Sequence, residues 1–430
     1  MTQAHELTRL LFSDVLGLSH GKVVPSSRLK DPTHYAITVM VQGLDLEFIE
    51  LETYSTDAGF PDMEARLDPS SLRPSWTEGG EGQIGMTNLY RSDGRPLPLC
   101  VRTRLQEMIG RWRSHGLDPV SGYEMEFFLS DDPTLASGPM RVPWHRVYGT
   151  GPGADPSGMI DEIAAAAERA ELHIEGVNAE FCPGQVEAAL HYASALEAAD
   201  AAFLFKEMVR EIALAKGKGA TFMARPFADA VGNGLHVNLS ANDGTGDNAF
   251  YDADDPDGIS QLCRHAIAGL IEHHAQLTAL LAPTVNSYKR LRPGLLAGYY
   301  ATWGLDNRLT SLRVPGQRGR ATRIEHRTPD GTASPHLALL GILAAALDGI
   351  ERELPLVDPA EGNAESEPRT EVHVASCLSE ALDLLEGDQV LVDALGEDLT
   401  KVFVALKRQE VDRWESAVTD WEVNTYGRVY

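Results

Sequence analysis

Basic residues are scarce in this chain of 430 residues. It has 37 lysines and arginines against 63 aspartates and glutamates, which gives a formal net charge of −26. A protein that binds nucleic acid presents a basic surface to the phosphates, so this balance argues against nucleic acid as a partner. A strongly acidic surface instead favours solubility and attracts cations, such as amines or metal ions.

Cysteine pairs and long apolar runs are also lacking. The four cysteines are scattered without a Cys-x-x-Cys pair, so neither a disulfide framework nor a zinc finger is expected. The longest apolar run, at residues 337–347, is too short to span a bilayer. The first residues lack the basic segment and apolar run of a signal peptide. We therefore expect a cytoplasmic protein without a membrane partner.

The order of sequence patterns predicts a sheet backed by helices. The first residues are expected to form a helix, residues 15–25 a strand–turn–strand, and residues 54–94 irregular chain. From residue 122 onwards strands and helices alternate, which favours an α/β or α+β body. Helices are predicted at residues 102–115, 161–170, 188–217, 260–281, 335–354, 372–385 and 397–426, and an exposed loop at 358–369.

Three strand-like stretches carry polar residues two positions apart, at residues 123–129, 235–240 and 323–327. Side chains at i and i+2 of a strand point to the same face. The residues that share a face are Glu124 with Glu126, then His236 with Asn238 and Ser240, then Arg323 with Glu325 and Arg327. Because buried charge is costly unless it is paired or bound to metal, this pattern predicts a site shared by a cation and an anion.

Further acidic and basic residues extend this predicted site. Glu180 and Glu187 flank a Pro-Gly turn that can bring them together, and five carboxylates with one imidazole suit Mg²⁺ or Mn²⁺. Several arginines beside divalent metals are what phosphoryl transfer needs, although the chain has no G-x-x-x-x-G-K-[ST] loop. Arg308 and Arg313 are five residues apart, so a turn or bulge must lie between them if both serve one site.

These motifs, in this order, resemble the glutamine synthetase family from about residue 10 to residue 430. The matching segments are the E-x-E at 124–126, E-x-x-P-G-Q-x-E at 180–187, G-x-G-x-H-x-N-x-S at 232–240, Y-K-R-L at 288–291, N-R-x-x-x-x-R at 307–313 and R-x-E-x-R-x-P-D at 323–330. The resemblance implies an α+β fold, with an N-terminal β-grasp domain over residues 1–101. Residues 102–430 would form a catalytic domain whose curved antiparallel sheet is backed by helices.

The same resemblance implies the reaction, the cofactors and the assembly. ATP phosphorylates the γ-carboxylate of glutamate, and an amine then displaces phosphate to give an amide. Two or three Mg²⁺ or Mn²⁺ ions are expected at each site. The subunits are expected to form a homo-oligomer of two stacked hexameric rings, with each active site between neighbouring subunits.

The resemblance also assigns roles to individual residues. Ligands of the metal nearer glutamate and the amine are Glu126, Glu180 and Glu187, and ligands of the metal that bridges the ATP phosphates are Glu124, His236 and Glu325. Arg290 and Arg327 are expected to bind glutamate beside the Gly232 backbone. Arg308 and Arg313 match residues that bind the transferred phosphate. Contacts to the nucleotide are expected from Asn238, Ser240, Arg313 and Arg323.

The chain departs from the family at the ammonium site. Where glutamine synthetases carry an acidic residue in a P-G-x-E-A-P loop, this chain has Leu296, and the acidic loop of the N-terminal domain is not visible either. The local candidates for that loop lie at residues 52–57. Leucine binds no cation, so we expect a glutamate–amine ligase that uses an organic amine. Its amine pocket is expected to be lined by Leu295, Leu296, Tyr299 and Tyr300.

Other interpretations remain open from sequence. The runner-up is a conventional glutamine synthetase with a rearranged ammonium site, and an alternative from a different class is a non-catalytic ring protein of structural or regulatory role. A guanido-kinase-like phosphotransferase fits poorly, because the motifs at 180–187 and 307–313 do not match it. The loop at 358–369 contains no tyrosine, so regulation by adenylylation is not expected, which favours a role in specialised amine metabolism.

Overall fold

The computed structural model describes residues 7–77, 79 and 82–430, and its strands form two sheets. The strands are β1 (Leu7–Ser13), β2 (Ser19–Pro25), β3 (Thr33–Ala36), β4 (Asp62–Leu67), β5 (Arg73–Pro74), β6 (Gln83–Arg91), β7 (Asp118–Ser130), β8 (Ile174–Ala179), β9 (Gln185–Leu190), β10 (Ala193–Ser194), β11 (Gly219–Thr221), β12 (Leu235–Asn242), β13 (Trp303–Leu305), β14 (Leu312–Val314) and β15 (Ile324–His326). The helices are α1 (Val101–Ser114), α2 (Met159–Arg169), α3 (Ala195–Ala215), α4 (Gln261–Glu272), α5 (Thr278–Leu281), α6 (Pro335–Glu351), α7 (Leu378–Glu386), α8 (Gln389–Leu395), α9 (Glu397–Ser416) and α10 (Asp420–Tyr426). The expected α+β fold is confirmed.

The first sheet is built from the N-terminal strands in the order β2-β1-β6-β4-β3, with β5 paired to β6. β1 and β2 form an antiparallel hairpin, whereas β1 and β6 run parallel. The apolar face of this sheet, which includes Phe12, Met63, Ile84 and Met86, joins the same hydrophobic core as the rest of the protein.

The second sheet has the order β13-β14-β15-β12-β7-β9-β8, and the short strands β10 and β11 also pair with β7. Its pairings are antiparallel except for β13 with β14. The long strand β7 lies at its centre and alternates core-facing residues, such as Met125 and Phe127, with glutamates on the other face. This alternation is what places the charged residues of the candidate site on one surface.

Helices cover the other face of this sheet. Helix α6 is apolar on nearly all sides and its N-terminus is capped by Ser334, whose hydroxyl accepts a hydrogen bond from the Leu337 amide. Helix α4 packs directly on it: a Cβ at Gly269 would lie only 2.1 Å from the Ala345 carbonyl oxygen. Glycine is therefore required at this crossing. No helix of the described residues is both long and apolar enough to cross a membrane.

Three predicted segments contain strands instead, and three predicted helices are shortened or interrupted: α7 begins only at Leu378, and residues 273–277 and 417–419 separate α4 from α5 and α9 from α10. Residues 7–13 form strand β1 instead of a helix, while residues 1–6 lie outside the described part of the chain. The supposedly irregular stretch at 54–94 contains β4, β5 and β6. Residues 188–190 and 193–194 belong to β9 and β10, so helix α3 begins only at Ala195. In the three strand segments, pairing with a neighbouring strand outweighs the local preference of the residues.

The expected boundary after residue 101 falls at the first residue of α1. We propose the same division, because the two sheets lie on either side of it in the sequence. The two parts are joined through Arg102, whose guanidinium contacts Asp200 of α3 at 2.8 and 2.9 Å. The same group donates to Asp68 and Asn88 at 2.8 Å, and His336 of α6 contacts Asp200 at 2.8 Å.

Replacement of Arg102 by methionine should destabilise the protein strongly. The change leaves the buried carboxylate of Asp200 without its guanidinium partner, and breaking a buried ion pair in this way costs about 3–5 kcal/mol. Urea unfolding measures the loss. Arg113→Met, at an exposed position of the same helix, is the matched control and should change the free energy of unfolding by less than about 1 kcal/mol. Equal stability of the two variants would contradict the buried role of Arg102.

Candidate active site

The strand register brings the predicted acidic residues together on the exposed face of the second sheet. Glu124 of β7 lies opposite His236 of β12, and Glu126 lies opposite Glu187 of β9. On the other side of β12, Asn238 lies opposite Glu325 of β15. Directly opposed residues of antiparallel strands point to the same face, so these side chains form one surface.

Two groups of donor atoms on this surface have the spacing of metal sites. One consists of Glu124, His236 and Glu325, and the other of Glu126, Glu187 and His236; within each group one ligand atom from every residue lies within 4.8 Å of the others. The Nδ1 atom of His236 lies 3.4 Å from Glu124 Oε2 and 3.5 Å from Glu325 Oε1. The first group has the three residues predicted for one metal, whereas the second has His236 where Glu180 was predicted, and Glu180 belongs to neither group.

Glu180 lies just beyond the end of β8 and faces the second group across the site. Its burial and the charges of Glu126 and Glu187 raise the pKa of Glu180 to about 7. Burial and the charges of Glu124 and Glu126 likewise raise the pKa of Glu187. On this side of the site, burial and the neighbouring carboxylates therefore outweigh the positive charges nearby.

In the group formed by Glu124, His236 and Glu325, the carboxylate charges are better balanced by positive neighbours and hydrogen-bond donors. Burial opposes ionisation of Glu124, but hydrogen bonds from His236 and Asn238 outweigh it and lower the pKa of Glu124 to about 2. Glu325 is 1% exposed, and it accepts hydrogen bonds from Arg313 at 2.6 Å and Arg327 at 2.5 Å. The charges of His236 and these two arginines lower the pKa of Glu325 in spite of its burial.

The donor set fits hard divalent cations. Carboxylate oxygens with a single imidazole nitrogen are ligands that Mg²⁺ and Mn²⁺ accept, and a cation would relieve the repulsion that raises the pKa of Glu180 and Glu187. Glu126 is held in place by the Gly234 amide, which donates to its Oε2 at 2.6 Å.

The remaining arginines surround the acidic groups. Arg323 donates to the side-chain oxygen of Asn238 at 3.0 Å. Arg290 is buried and donates to the backbone oxygens of Thr328 and Arg327 at 2.8 and 3.1 Å. Arg308 is exposed, and its charge acts on Glu180 from across the site. The turn expected between Arg308 and Arg313 is present, because β14 begins only at Leu312.

Two glycines leave room for these side chains. A Cβ at Gly232 would lie 2.6 Å from the Ala224 carbonyl oxygen and 2.7 Å from Arg290 Cγ. A Cβ at Gly234 would lie 3.0 Å from His236 Nε2. The backbone at residues 232–234 therefore approaches the arginine and the histidine as closely as only glycine allows.

Two cavities open on either side of the acidic groups. The first, of about 370 Å³, is lined by Glu124, Asn238, Ser240 and Arg323, all predicted site residues, together with Tyr192. The second, of about 590 Å³, has the predicted residues Glu126, Glu180, Gly232, His236, Arg290, Leu296 and Arg327 in its wall. The two cavities therefore offer space for two ligands, with the acidic groups between them.

The expected amine pocket is only partly correct. Leu295 and Leu296 line the second cavity, and both are partly exposed to it. The expectation for Tyr299 and Tyr300 is wrong: among the described residues, neither lines this cavity. Tyr299 instead packs beside Leu291 and Val374 and stacks on His373, with ring centroids 5.1 Å apart. Packing against this apolar patch fixes the orientation of the Tyr299 ring.

The candidate acidic segment of the N-terminal domain stays a prediction, because the expected active site lies between neighbouring subunits and the structure is that of a single chain. Residues 52–57 contribute to neither cavity within the described structure. Their one buried aromatic residue, Tyr54, donates to Asp398 of α9 at 2.9 Å.

Sequence reasoning missed two acidic residues near the site. Asp306 accepts from Arg313 at 2.6 Å and so fixes the guanidinium that also holds Glu325. Its position directly before the N-R motif was the available signal. Glu365 lies beside Leu296, although its loop was expected to be exposed. No spacing rule connects Glu365 with Leu296, because the two residues meet only through the fold.

Comparison with known proteins agrees with this geometry. Residues 98–426 match the family described as glutamine synthetase, catalytic domain. A glutamine synthetase of Thermotoga maritima is 34% identical over 432 residues, which cover 97% of this chain and 95% of that protein. The gamma-glutamylethanolamide synthetase GlnA4 of Streptomyces coelicolor is also 34% identical, over 380 residues that cover 86% of this chain and 80% of that protein.

A solved structure gives the same result at the level of the fold. The GmaS/ADP complex superposes with a TM-score of 0.87 at 30% identity, over 98% of this chain and 97% of that one. The ordered motifs, the paired sheets and these matches confirm the resemblance found in the sequence. The chain belongs to the glutamine synthetase family, and its catalytic domain is that of an ATP-dependent ligase of the glutamine synthetase type.

Proposed function

We propose that this protein is an ATP-dependent ligase that joins the γ-carboxylate of glutamate to an organic amine, through γ-glutamyl phosphate, to give a γ-glutamylamide. The observation that carries the proposal is Leu296, which stands in the wall of the second cavity where the family has an acidic residue. An apolar side chain there favours the carbon chain of an organic amine over the small, strongly hydrated ammonium ion. The similarity to GlnA4, named for an ethanolamide product, supports the same reading.

The runner-up is a conventional glutamine synthetase that uses ammonium. It is favoured by the Thermotoga protein, which carries that name at the same 34% identity as GlnA4. Overall identity therefore does not choose between the two substrates, and the choice rests on the wall of the second cavity. A non-catalytic role is disfavoured because both ligand groups are intact.

We assign ATP to the first cavity and glutamate with the amine to the second. Asn238, Ser240 and Arg323 would contact the nucleotide, while Arg290, Arg327 and the Gly232 backbone would hold glutamate. Mg²⁺ or Mn²⁺ would be held by Glu124, His236 and Glu325 on one side and by Glu126, Glu187 and Glu180 on the other. Such ions, when bound, neutralise charge on the phosphates and the carboxylate.

The residues of the chain then promote each step. Glutamate and ATP repel each other, so Arg308, Arg313 and Arg327 lower the barrier by placing positive charge around the transferred phosphoryl group. The γ-carboxylate oxygen bonds to the terminal phosphorus as the bond to ADP breaks. In the second step the amine nitrogen bonds to the γ-carbon and phosphate leaves. Arg290 and the Gly232 backbone hold the α-amino and α-carboxylate groups of glutamate during both steps, and this orients its γ-carboxylate for the reaction.

We further propose a cytoplasmic homo-oligomer of stacked hexameric rings, as the family resemblance implies. Helix α10 supports an oligomer, because Trp421, Val423 and Tyr426 are exposed on the single chain. Apolar groups clustered at a surface mark an interaction site.

The first test is a panel of amines in a phosphate-release assay with ATP and glutamate. We expect primary organic amines to give a kcat/KM at least tenfold above that of ammonium, because an apolar wall contributes about that much for a few methylene groups. Turnover with ammonium equal to or above that of every organic amine would reject the proposal in favour of a conventional glutamine synthetase.

The variant Leu296→Glu tests the same wall from the protein side. Introducing a carboxylate should lower kcat/KM for the best organic amine by about tenfold and raise that for ammonium, because the cation gains a partner. Leu214→Glu, an exposed position at the end of α3 away from both cavities, is the control and should leave both values unchanged. An unchanged ammonium activity in Leu296→Glu favours the conventional enzyme.

Metal affinity should rise with pH. The pKa of Glu180 is raised from its ordinary 4.5 to about 7, so the carboxyl group is largely protonated below pH 7 and must lose its proton to bind a cation. Affinity for Mn²⁺ should increase by up to about tenfold per pH unit between pH 5.5 and 7 and level off above pH 7. Calorimetric titration at pH 6 and 8 measures this rise. Glu180→Gln should bind Mn²⁺ more weakly and with a flatter pH dependence, whereas an identical pH dependence would remove Glu180 from the site.

A further inference from the structure

Three large apolar residues in the wall of the second cavity are exposed. Phe181 is 60% exposed, Leu295 44% and Leu296 49%, and all three line this cavity. Folding normally removes large apolar side chains from water, so a group of them that stays exposed around a cavity marks the place of an apolar ligand group. The proposed function uses Leu296 and leaves Phe181 and Leu295 without a role.

The second cavity is also larger than glutamate requires. Its volume is about 590 Å³, whereas the first cavity, which we assign to ATP, has a volume of about 370 Å³. ATP is a much larger molecule than glutamate, so glutamate leaves a substantial part of the second cavity free. The wall residues that have no assigned role include Phe181, Val231 and Leu295, and the free space therefore has an apolar border.

Hydrogen bonds fix the turn that carries Phe181. The Phe181 carbonyl oxygen lies 3.0 Å from His145 Nε2, and the amide of the next residue, Cys182, donates to Gln185 Oε1 at 3.2 Å. Gln185 is buried, and its side-chain amide donates to the Gly232 carbonyl oxygen at 3.0 Å. The turn at Phe181 is thus tied to the glycine segment at which we expect glutamate to bind.

Val231 continues the wall from this turn. Its amide lies 3.5 Å from Cys182 Sγ, and Cys182 directly follows Phe181 in the chain. Cys182 and Val231 both line the second cavity. Phe181 therefore belongs to a wall that runs on into the segment next to Gly232.

The two leucines are held by a second loop of fixed conformation. The Leu295 amide donates to the Arg292 carbonyl oxygen at 3.3 Å, and the Thr328 hydroxyl donates to the Gly298 carbonyl oxygen at 3.1 Å. Leu296 has a φ of +55°, in the left-handed region, which leucine adopts at a cost and keeps where its surroundings fix it. Such conformations are concentrated at ligand sites, which agrees with the position of Leu296 in the cavity wall.

Two charged residues share this part of the wall without making it a second ion site. The guanidinium of Arg225 donates to the carbonyl oxygens of Lys289 at 2.9 Å and Ala228 at 3.1 Å, so part of its donor capacity is already used. Asp229 is exposed, and an exposed carboxylate attracts a cation only weakly because water screens its charge. The wall therefore favours an apolar substituent over a second ammonium group.

We propose that Phe181, with Leu295 and Leu296, binds the carbon skeleton of the amine, and that the amine is a primary arylalkylamine. Such a molecule has one ammonium nitrogen on a short chain that ends in an aromatic ring. This inference rests on the proposed function and deepens it by naming the substrate class. Phe181 is the specificity-determining residue, because two aromatic rings attract each other beyond the burial of their area. A rigid ring also loses less conformational freedom on binding than an alkyl chain of similar size.

The test compares 2-phenylethylamine, ethylamine and 1,4-diaminobutane in a phosphate-release assay with saturating ATP and glutamate. In the unaltered enzyme, kcat/KM for 2-phenylethylamine should exceed that for each of the other two amines by at least about tenfold. Phe181→Ala should lower kcat/KM for 2-phenylethylamine by about tenfold or more and that for ethylamine by less than about threefold. The KM for glutamate should not change. Phe181→Tyr keeps the ring and should keep the preference.

Two further variants make the result specific to this wall. Leu295→Ala should lower the preference for 2-phenylethylamine over ethylamine in the same direction as Phe181→Ala, because it removes apolar surface from the same cavity. Trp144→Ala changes an aromatic residue that is 76% exposed and, in the described structure, lines neither cavity. This control should leave kcat/KM for all three amines unchanged.

Three results would overturn the inference while leaving the proposed function intact. The first is equal kcat/KM for 2-phenylethylamine and ethylamine in the unaltered enzyme, both above ammonium. The second is an equal loss with both amines in Phe181→Ala, which would give Phe181 a purely structural role. The third is a preference for 1,4-diaminobutane that Asp229→Asn removes. Ammonium turned over as well as or better than every organic amine would instead overturn the proposed function.

Discussion

The structure depends on the crowding of anionic side chains along one face of the second sheet. Strand alternation places Glu124 and Glu126 on that face, and the register with β12 and β9 sets His236 and Glu187 opposite them. Such an arrangement is unfavourable without cations, and burial together with the neighbouring carboxylates raises the pKa of Glu180 and Glu187. The site is therefore built to be completed by ligands that carry positive charge.

The arginines divide this surface into one half where the carboxylates have guanidinium partners and one half where they do not. Glu325 accepts hydrogen bonds from the guanidiniums of Arg313 and Arg327. The ligand group that contains Glu325 lies next to the cavity that we assign to ATP. The half around Glu180 keeps excess negative charge and adjoins the cavity that we assign to glutamate and the amine. In the proposed reaction the same division separates the two steps, because phosphoryl transfer needs positive charge whereas an amine cation needs a carboxylate.

The acidic groups were accessible from the sequence because strand periodicity is a local rule. Glu124, His236 and Glu325 each sit in a short alternating stretch, and the family motifs fix their order. The first sheet was not accessible to the same degree: β1 reads as a helix, and β4 and β6 lie within glycine- and proline-rich chain. These segments become strands because they pair with segments that are distant in the sequence. Glu365 was missed for the same reason, since its neighbour Leu296 is far away in the sequence and the two loops meet only through Trp303 and Asn307.

The central claim is that these carboxylates and His236 hold divalent cations between the two cavities. Anomalous X-ray scattering from crystals grown with Mn²⁺ and a non-hydrolysable ATP analogue tests it most directly. The account predicts one Mn²⁺ among Glu124, His236 and Glu325 and a second among Glu126, Glu187 and Glu180, with ligand distances of about 2.1 Å. Nucleotide bound in the first cavity without Mn²⁺ at either group, or with Mn²⁺ only at other carboxylates, would contradict it.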